Sequence, residues 1–338
     1  MPQAHAPAPA GATPYADLNG VLDQLVARAR ALLGGNFIGA YLQGSFAVGD
    51  ADEHSDVDFL VVTARDVTLA EQPALQAMHA ELFTLPSPWA QHLEGSYVPA
   101  AILRRWSFEP RDPPEEPRAP GWADPGMADM PARAYPFLYL DNGAHQLVRS
   151  EHDNSQVVRW CLRERGVALA GPPPAELVDE VTPDALRAEI RTLFRRVTTL
   201  WLGGTIPIDA NWLQGFIVTQ YCRMLHSLET GTVTVTSKKA ASAWAKGRLD
   251  TKWAGLIDRS WAIGRSPLAH KLAPADPEAV TQTLAFIRYA VKWEAMAGSA
   301  TKGAHGASRP RWQNAGKRTR GGQAAPSPIR PGGRGRRG

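Results

Sequence analysis

The sequence predicts an α+β fold in which a small mixed-sheet domain precedes a bundle of helices. Short apolar runs of strand length occur between residues 37 and 140, and runs with helical periodicity dominate after residue 154. A Gly-Pro-Pro-Pro segment at 171–174 interrupts the helical patterns and marks the natural domain boundary. We therefore expect a disordered leader over 1–14, a first domain over 15–170, a helical domain over 171–298 and a disordered tail over 299–338.

The elements of the first domain follow from the spacing of its apolar residues. Residues 17–33 carry apolar side chains at helical spacing, and Gly34 and Gly35 end that helix. Residues 57–63 are almost wholly apolar, which predicts a strand buried on both faces. The other predicted elements are a strand over 37–42, a glycine turn over 44–49, a helix over 71–83, strands over 92–99 and 137–140, and an irregular loop over 107–135.

Helical patterns account for nearly all of the second half of the chain. Apolar positions recur every three or four residues, as expected for helices that pack one face against a common core. Cys161 and Cys222 fall within two of these apolar runs, so we expect buried free thiols and no disulfide. The predicted helices cover residues 154–165, 184–202, 211–229, 238–248, 252–263 and 276–297.

The charge of the chain is unevenly distributed. The 338 residues have a formal net charge of +4, but residues 299–338 contain ten Lys or Arg and no Asp or Glu. The rest of the chain carries 27 basic and 33 acidic residues and has a net charge of −6. An acidic body favours a cationic ligand over nucleic acid. The Gly-, Pro- and Arg-rich tail is expected to be disordered, as a solubilising extension or a nonspecific contact to RNA or lipid.

No stretch of the sequence has the length and apolar character of a membrane-spanning helix. The leader lacks the basic start and the apolar centre of a signal peptide. Two cysteines cannot form a disulfide framework of the kind found in secreted proteins. These features predict a cytoplasmic protein that does not enter a membrane, and we expect it to be a monomer.

Two aspartates at the start of the buried strand form the candidate site. Asp56 and Asp58 are two residues apart on an extended segment, so both carboxylates leave the same face. Like charges held this close need a cation between them. Gly44 and Ser45 end the preceding strand, where a glycine lets a phosphate approach the backbone and the serine donates hydrogen bonds. The alternative interpretation is a surface turn with an incidental Asp-x-Asp.

These motifs resemble a known fold signature. The pattern Gly44-Ser45, Gly49, Ser55-Asp56-x-Asp58 and the apolar run that follows is similar to the signature of the polymerase-β-type nucleotidyltransferase fold. Residues 160–174, 217–231 and 236–245 are similar to the aminoglycoside 3″-adenylyltransferase family, whose members modify streptomycin and spectinomycin. The resemblance covers about residues 20–298 and leaves out the leader, the loop over 107–135 and the tail.

The resemblance implies roles for three carboxylates. Asp56 and Asp58 match the pair that holds Mg²⁺ on the phosphates of ATP. Glu94 matches the residue that completes this metal site and takes the proton from the substrate hydroxyl. Glu94 also lies in the middle of an apolar strand, where an unpaired acid is costly, and this independently favours a metal-binding or catalytic role. The alternative is a salt-bridged glutamate on an edge strand.

The resemblance also implies phosphate ligands in the helical half. Lys238 matches a lysine that contacts the ATP phosphates, and Lys239 follows it at the same predicted helix start, where free N–H groups already favour an anion. Arg223 lies within an apolar helix and needs an anionic partner. That partner is an ATP phosphate by resemblance, or alternatively Glu229 or Glu189 in an internal ion pair.

The function implied by the resemblance is Mg²⁺-dependent transfer of AMP from ATP to a hydroxyl of a small cationic aminocyclitol, with release of pyrophosphate. Candidates for the acceptor cleft are His145, Trp201, Asp209 and Trp212. Two alternatives stay open: the same chemistry on another acceptor (a different small molecule, a protein or RNA), or a non-catalytic nucleotide- or RNA-associated protein that acts through its tail. Deletion of residues 299–338 distinguishes them, because an enzyme keeps its turnover and a tail-dependent protein loses its function.

Overall fold

The fold is described from a computed structural model, which covers residues 11–106, 135–230 and 237–303. Residues 1–297 form one compact unit, and residues 298–338 form a second unit, of which only the end of a helix is described. Most of the predicted leader, residues 107–134 of the loop predicted over 107–135, and the predicted tail beyond residue 303 lie outside the described residues.

Within the described residues, six strands form one mixed sheet with the order β5-β4-β3-β2-β1-β6. Only the pairing of β2 with β3 is parallel in this sheet, and its other pairings are antiparallel. The predicted strands are confirmed, while β5 and β6 were not predicted. The strands are β1 (Phe37–Leu42), β2 (Val57–Thr63), β3 (Leu93–Pro99), β4 (Phe137–Leu140), β5 (Leu147–Ser150) and β6 (Val167–Ala170).

The helices agree closely with the predicted periodicity, apart from short ones. The helices of the first half are α1 (Ala16–Leu33), α2 (Gly44–Val48), α3 (Gln72–Phe83), α4 (Ala100–Leu103), α5 (Gln156–Arg165) and α6 (Pro174–Leu177). Those of the second half are α7 (Pro183–Leu202), α8 (Asn211–Thr230), α9 (Lys238–Arg248), α10 (Ala254–Ile263), α11 (Leu268–Leu272) and α12 (Pro277–Gly303). Single 3₁₀ turns lie at Gly34–Asn36, Pro88–His92 and Thr251–Trp253.

The sheet is covered on both faces, as the apolar sequence of β2 predicts. Phe59 and Val61 belong to a core that they share with helices α1 and α3. Leu60 and Val62 point the other way, into a core with Leu162 of α5. Because neighbouring residues of a strand face opposite sides, β2 is buried on both faces. A separate core joins helices α7, α8, α9, α10 and α12 in the second half.

Two details of the sequence prediction are corrected. The glycine turn is a short helix, α2, bounded at both ends by glycines with positive φ, at 58° for Gly44 and 74° for Gly49. The last helix runs to Gly303, so the first residues of the predicted tail are helical. Both cysteines are free and buried, as predicted. Across the described ranges, no helix is both long and apolar enough to cross a membrane.

The register of the parallel pair places the candidate site. Asp58 of β2 lies opposite Glu94 of β3, and Phe59 lies opposite Gly95. Residues in register on neighbouring strands leave the sheet on the same side, so the carboxylates of Asp58 and Glu94 become neighbours. A Cβ atom at Gly95 would lie 2.0 Å from the carbonyl oxygen of Phe59, so only glycine fits at this position of β3, next to Glu94.

Candidate active site

The turn at the start of α2 is shaped around Asp58. The carbonyl oxygen of Asp58 accepts a hydrogen bond from the Gln43 N–H at 2.9 Å, which ties the end of β1 to the start of β2. Gly44 has a φ of 58°, and a Cβ atom there would lie 1.8 Å from Oδ2 of Asp58. The carboxylate therefore packs directly against the Gly44 backbone. Any side chain at this position would displace it.

The hydroxyl of Ser45 lies beside this carboxylate turn and is available to a ligand. Its Oγ atom is buried and has no hydrogen-bond partner among the residues that the structure describes. A buried hydroxyl without a partner costs free energy, so native proteins rarely keep one without a purpose. The Ser45 hydroxyl is therefore a ready donor for an anionic group bound over the Gly44 turn.

Acidic groups crowd the floor of the site. Burial raises the pKa of Asp58, and the charges of Glu94, Asp56 and Asp153 raise it further, while Lys238 opposes the shift. Burial also raises the pKa of Glu94, whose side chain is 12% exposed. Carboxyls with raised pKa values at one place indicate a site that lacks its counter-charge. A bound cation would supply that charge.

The donor set fits a divalent cation that is bound partly by protein carboxylates and partly by phosphate oxygens. Within residues 11–106, 135–230 and 237–303, no three His, Cys, Asp or Glu side chains form a group that could hold a metal ion. The predicted trio Asp56, Asp58 and Glu94 is thus close enough to interact but is not assembled as a complete metal site. Mg²⁺ is usually bound by one or two carboxylates together with substrate phosphates. Asp56 and Asp58 fit that arrangement.

Sequence reasoning missed three residues of this site. Asp153 is 4% exposed and accepts hydrogen bonds from Oγ of Ser96 at 2.6 Å and from Nε2 of Gln43 at 3.2 Å. His152 forms ion pairs with Asp153 at 3.3 Å and with Glu94 at 3.7 Å. The Tyr139 hydroxyl donates to Oε1 of Glu94 at 2.7 Å. The run Glu-His-Asp-Asn at 151–154 was a visible signal, but β5 before it was not recognised.

Basic groups of the helical half face these acids. Arg223 of α8 donates to Oε1 of Gln220 at 3.2 Å; burial lowers its pKa, while Cys161, Asp58 and Asp50 raise it. Of the two acids considered as its partners, Glu229 pairs with Arg248 at 2.5 Å, and Glu189 accepts from the Gln156 N–H at 2.7 Å. The electrostatic contacts of Arg223 therefore point towards the site in the first domain.

Helix α9 begins at Lys238, as predicted. Oγ of Ser237 accepts from the Ala240 N–H at 2.9 Å and caps the helix. Lys238 interacts electrostatically with Asp58, and the N–H of Lys239 donates to Oδ2 of Asp50 at 3.4 Å. The N–H of Lys239 at this helix start thus already donates to a carboxylate, which is the behaviour expected of an anion-binding end.

Two further cations of the helical half were not foreseen. Arg265 donates to Oδ2 of Asp52, and its guanidinium lies 3.4 Å from the ring centroid of Trp261. Burial lowers the pKa of Lys271, which interacts with Asp56, Arg265 and Lys238. The loop between α2 and β2 is therefore lined by basic side chains from α9 to α11.

The four candidates for the acceptor cleft are divided between the two halves. His145 lies between β4 and β5, with its ring 5.4 Å from that of Phe83. Trp201 and Trp212 are half-buried and pack on the helical core, which is the usual role of aromatic residues at helical spacing. Asp209 is exposed, and its carbonyl oxygen accepts from the Ala275 N–H at 2.9 Å.

Two family models match separate parts of the chain. Residues 23–86 match the family model described as nucleotidyltransferase domain. Residues 202–289 match the model described as aminoglycoside adenylyltransferase, C-terminal domain. No curated protein matches the chain.

A solved structure shares the fold. The spectinomycin adenyltransferase AAD(9) from Enterococcus faecialis, crystallised with ATP and spectinomycin, superposes with a TM-score of 0.53 at 15% identity, over 81% of this chain and 98% of the other. The chain is a nucleotidyltransferase. More narrowly, a nucleotidyltransferase domain is followed by a helical C-terminal domain that is similar to that of the aminoglycoside adenylyltransferases.

Proposed function

We propose that this enzyme transfers AMP from ATP to a hydroxyl of a small cationic aminocyclitol of the streptomycin or spectinomycin type, with Mg²⁺ as cofactor. One observation carries the proposal: the Asp58 carboxylate packs against Gly44, beside the unpartnered Ser45 hydroxyl, and lies in register with Glu94. This arrangement supports phosphate donors, a carboxylate pair for one cation and a base at one point of the sheet.

The phosphates of the nucleotide would be held from both halves. The hydroxyl and N–H of Ser45 donate from the first domain. Lys238, Lys239 and Arg223 supply positive charge from the helical half, and their contacts with Asp50 and Asp58 support this direction. Holding the triphosphate at several oxygens orients its α-phosphate for attack and stabilises the pyrophosphate that leaves.

Asp56 and Asp58 would hold the metal ion. When bound there, Mg²⁺ neutralises phosphate charge and polarises the α-phosphate. The two carboxylates would hold that cation at the start of β2, because Asp58 is locked against Gly44 and sits beside β3. This fit rests on the chemistry of the donors and on the raised pKa of Asp58.

Glu94 would act as the general base. Its raised pKa favours acceptance of a proton, and Tyr139 and His152 hold its Oε1 atom. As the acceptor oxygen bonds to the α-phosphorus, the bond from that phosphorus to the bridging oxygen of pyrophosphate breaks. The proton of the acceptor hydroxyl passes to Glu94, and pyrophosphate leaves with the electron pair.

The charge of the site supports a cationic acceptor. Asp141 lies 3.1 Å from the Tyr139 hydroxyl, and Asp153 lies beside His152, so Glu94 is surrounded by further acids. These acids would not attract a neutral or anionic acceptor, whereas they would attract the ammonium group of an aminocyclitol. The solved relative was crystallised with spectinomycin, which agrees with this class of acceptor.

The proposal is tested by incubating the purified enzyme with ATP, Mg²⁺ and a panel containing spectinomycin, streptomycin and kanamycin, followed by mass spectrometry for an added AMP. We expect one member of the panel to gain AMP. Asp58→Asn should lower the rate by at least about 100-fold, because it removes a charge from the metal site. Asp23→Asn on the exposed face of α1 is the matched control. Transfer by Asp58→Asn at the wild-type rate would refute the assigned site.

A further inference from the structure

We propose that His152 is a positioning residue, held by the buried carboxylate of Asp153, that fixes the carboxylate of Glu94 so that its Oε2 atom faces the acceptor hydroxyl. We call Asp153 and His152 together the clamp. The inference rests on the proposed function, because it takes Glu94 as the base. It adds two residues, His152 and Asp153, that follow the edge strand β5. They act on Glu94 of β3, which is two strands away in the sheet.

The far side of the clamp is rigid. Asp153 is 4% exposed, and its two carboxylate oxygens accept from different strands and loops: Oδ2 from Ser96 at 2.6 Å, and Oδ1 from Gln43 at 3.2 Å. Ser96 is two residues beyond Glu94 on β3 and therefore leaves the same face of the sheet. A buried carboxylate with polar partners on both oxygens has little freedom to rotate.

Asp153 in turn orients the imidazole. Nδ1 of His152 lies 3.3 Å from Oδ1 of Asp153, and the N–H of His152 donates to Oγ of Ser150 at 3.1 Å. The ring also lies against Tyr139, with the ring centroids 4.9 Å apart at an angle of 35°. One edge of the ring is thus fixed by a carboxylate and one face by an aromatic ring. The remaining nitrogen, Nε2, can point in one direction only.

That direction is Glu94. Nε2 of His152 lies 3.7 Å from Oε1 of Glu94, and the Tyr139 hydroxyl donates to the same oxygen at 2.7 Å. Within the described residues, the polar contacts of Glu94 thus converge on Oε1, and Oε2 is left for a ligand. A base needs one lone pair aimed at the proton that it takes, and an aligned carboxylate supplies it.

The clamp also counteracts the electrostatic repulsion between Asp58 and Glu94. Asp58 and Glu94 are in register on neighbouring strands, so their charges push the two side chains apart. Without His152, Glu94 would be held by Tyr139 alone and would rotate away from Asp58. His152 is 40% exposed, so its own burial contributes little to the core. Its position is better explained by its contacts to the two carboxylates.

The kinetic test compares His152→Ala, His152→Gln and Asp153→Asn with the wild type, using Mg²⁺, ATP and spectinomycin. We expect His152→Ala to lower kcat by about 10- to 100-fold while KM for ATP changes less than about threefold, since the nucleotide ligands lie elsewhere. His152→Gln, whose amide nitrogen reaches towards Glu94, should recover part of the loss. His92→Ala, which removes an exposed histidine bonded to Asn142, is the matched control.

A structural test separates this inference from the proposed function. Crystal structures of the wild type and of His152→Ala are compared for the side-chain angle of Glu94, with thermal melting as a check on folding. A rotated Glu94 carboxylate supports the clamp, even if spectinomycin proves not to be the acceptor. An unmoved Glu94 in His152→Ala, or a loss of kcat that His152→Gln shares in full, overturns it. If His152→Ala does not fold, the crystal structure of His152→Gln decides.

Discussion

At the scale of single residues, the site depends on one glycine. Gly44 combines a positive φ with contact between its Cα and the carboxylate of Asp58. A positive φ strains any L-residue by about 1 kcal/mol, but this strain alone would not stop catalysis. The decisive cost is steric, because a methyl group at Gly44 would occupy the place of Oδ2 of Asp58.

Gly44→Ala should therefore lower AMP transfer by at least about 100-fold, with a much smaller loss of stability. Gly204→Ala is the matched control, since Gly204 also has a positive φ, of 71°, but a Cβ atom there would meet nothing within 4 Å. Both variants carry the backbone strain, and only Gly44→Ala displaces Asp58. The measurements are initial rates and thermal melting curves, and equal activity in the two variants would contradict the steric argument.

At the scale of elements, α3 shows how a polar residue fits a buried face. His79 lies on the face of α3 that covers the sheet, with Nε2 hydrogen-bonded to the Tyr97 hydroxyl at 2.8 Å. Its ring is stacked on Phe59 at 5.9 Å. Burial, together with a smaller effect of the charge of Arg28, lowers the pKa of His79 to about 3. The helix is therefore attached to the sheet by a histidine that stays neutral in the folded protein.

This gives a pH dependence of stability with a defined sign. Above pH 6.5 His79 is neutral in the folded and the unfolded chain, so its packing contributes fully to stability. As the pH falls from about 6.5 to about 3, only the unfolded chain binds the proton, and the free energy of unfolding decreases. The slope from this group is at most about 1.4 kcal/mol per pH unit.

His79→Gln should remove that slope between pH 4 and pH 6, because glutamine keeps a polar group near Tyr97 and does not titrate. The measurement is urea unfolding at a series of pH values. His54→Gln serves as control, since the His54 side chain is 40% exposed and does not pack a helix against the sheet. A slope for His79→Gln equal to that of the wild type would show that His79 is protonated in the folded state.

Elements also explain which strands the sequence revealed. β2 was found because all of its residues except Asp58 and Thr63 are apolar. β5 was missed because it contains Arg149, which looks like a loop residue in the sequence. In the fold Arg149 is 3% exposed and pairs with Asp66 at 3.1 Å. A buried ion pair forms between distant segments, and local patterns contain no sign of it.

At the scale of the whole molecule, the loop that carries Asp56 is tied to the helical half. Asp52 pairs with Arg265, which stacks on Trp261, and Asp50 accepts from the N–H of Lys239. These contacts connect the first domain, which supplies the carboxylates, to the helices that supply the cations. They hold the acidic loop of the first domain close to the basic groups of the helical half.

A double-mutant cycle of Asp52→Asn and Arg265→Ala measures this link. The side chains of Arg265 and Asp52 are 30% and 37% exposed, so solvent screening should keep the coupling energy below about 1 kcal/mol. We expect a larger effect on binding, with KM for ATP rising about three- to tenfold in each single variant because the loop loses its anchor. Unchanged KM values would mean that this contact does not order the site.

The sequence by itself determined the order of the elements and the chemistry of the motif. Helical and strand periodicity are local properties, so β2, α8 and α9 could be located from neighbouring residues alone. The Asp-x-Asp spacing and the preceding Gly-Ser are local as well, and the family resemblance extended them to Glu94, Arg223 and Lys238. The two-part organisation into sheet and helices followed from the same periodicity.

Only the tertiary structure decided which distant groups meet at the motif. The strand order places Glu94 beside Asp58, and the segment after β5 brings His152 and Asp153 to them from more than fifty residues away. Their contacts depend on register and on close packing across the sheet, which no stretch of sequence encodes separately. The fold therefore places four side chains, those of Asp58, Glu94, His152 and Asp153, at one point, because folding brings together charges that the chain keeps apart.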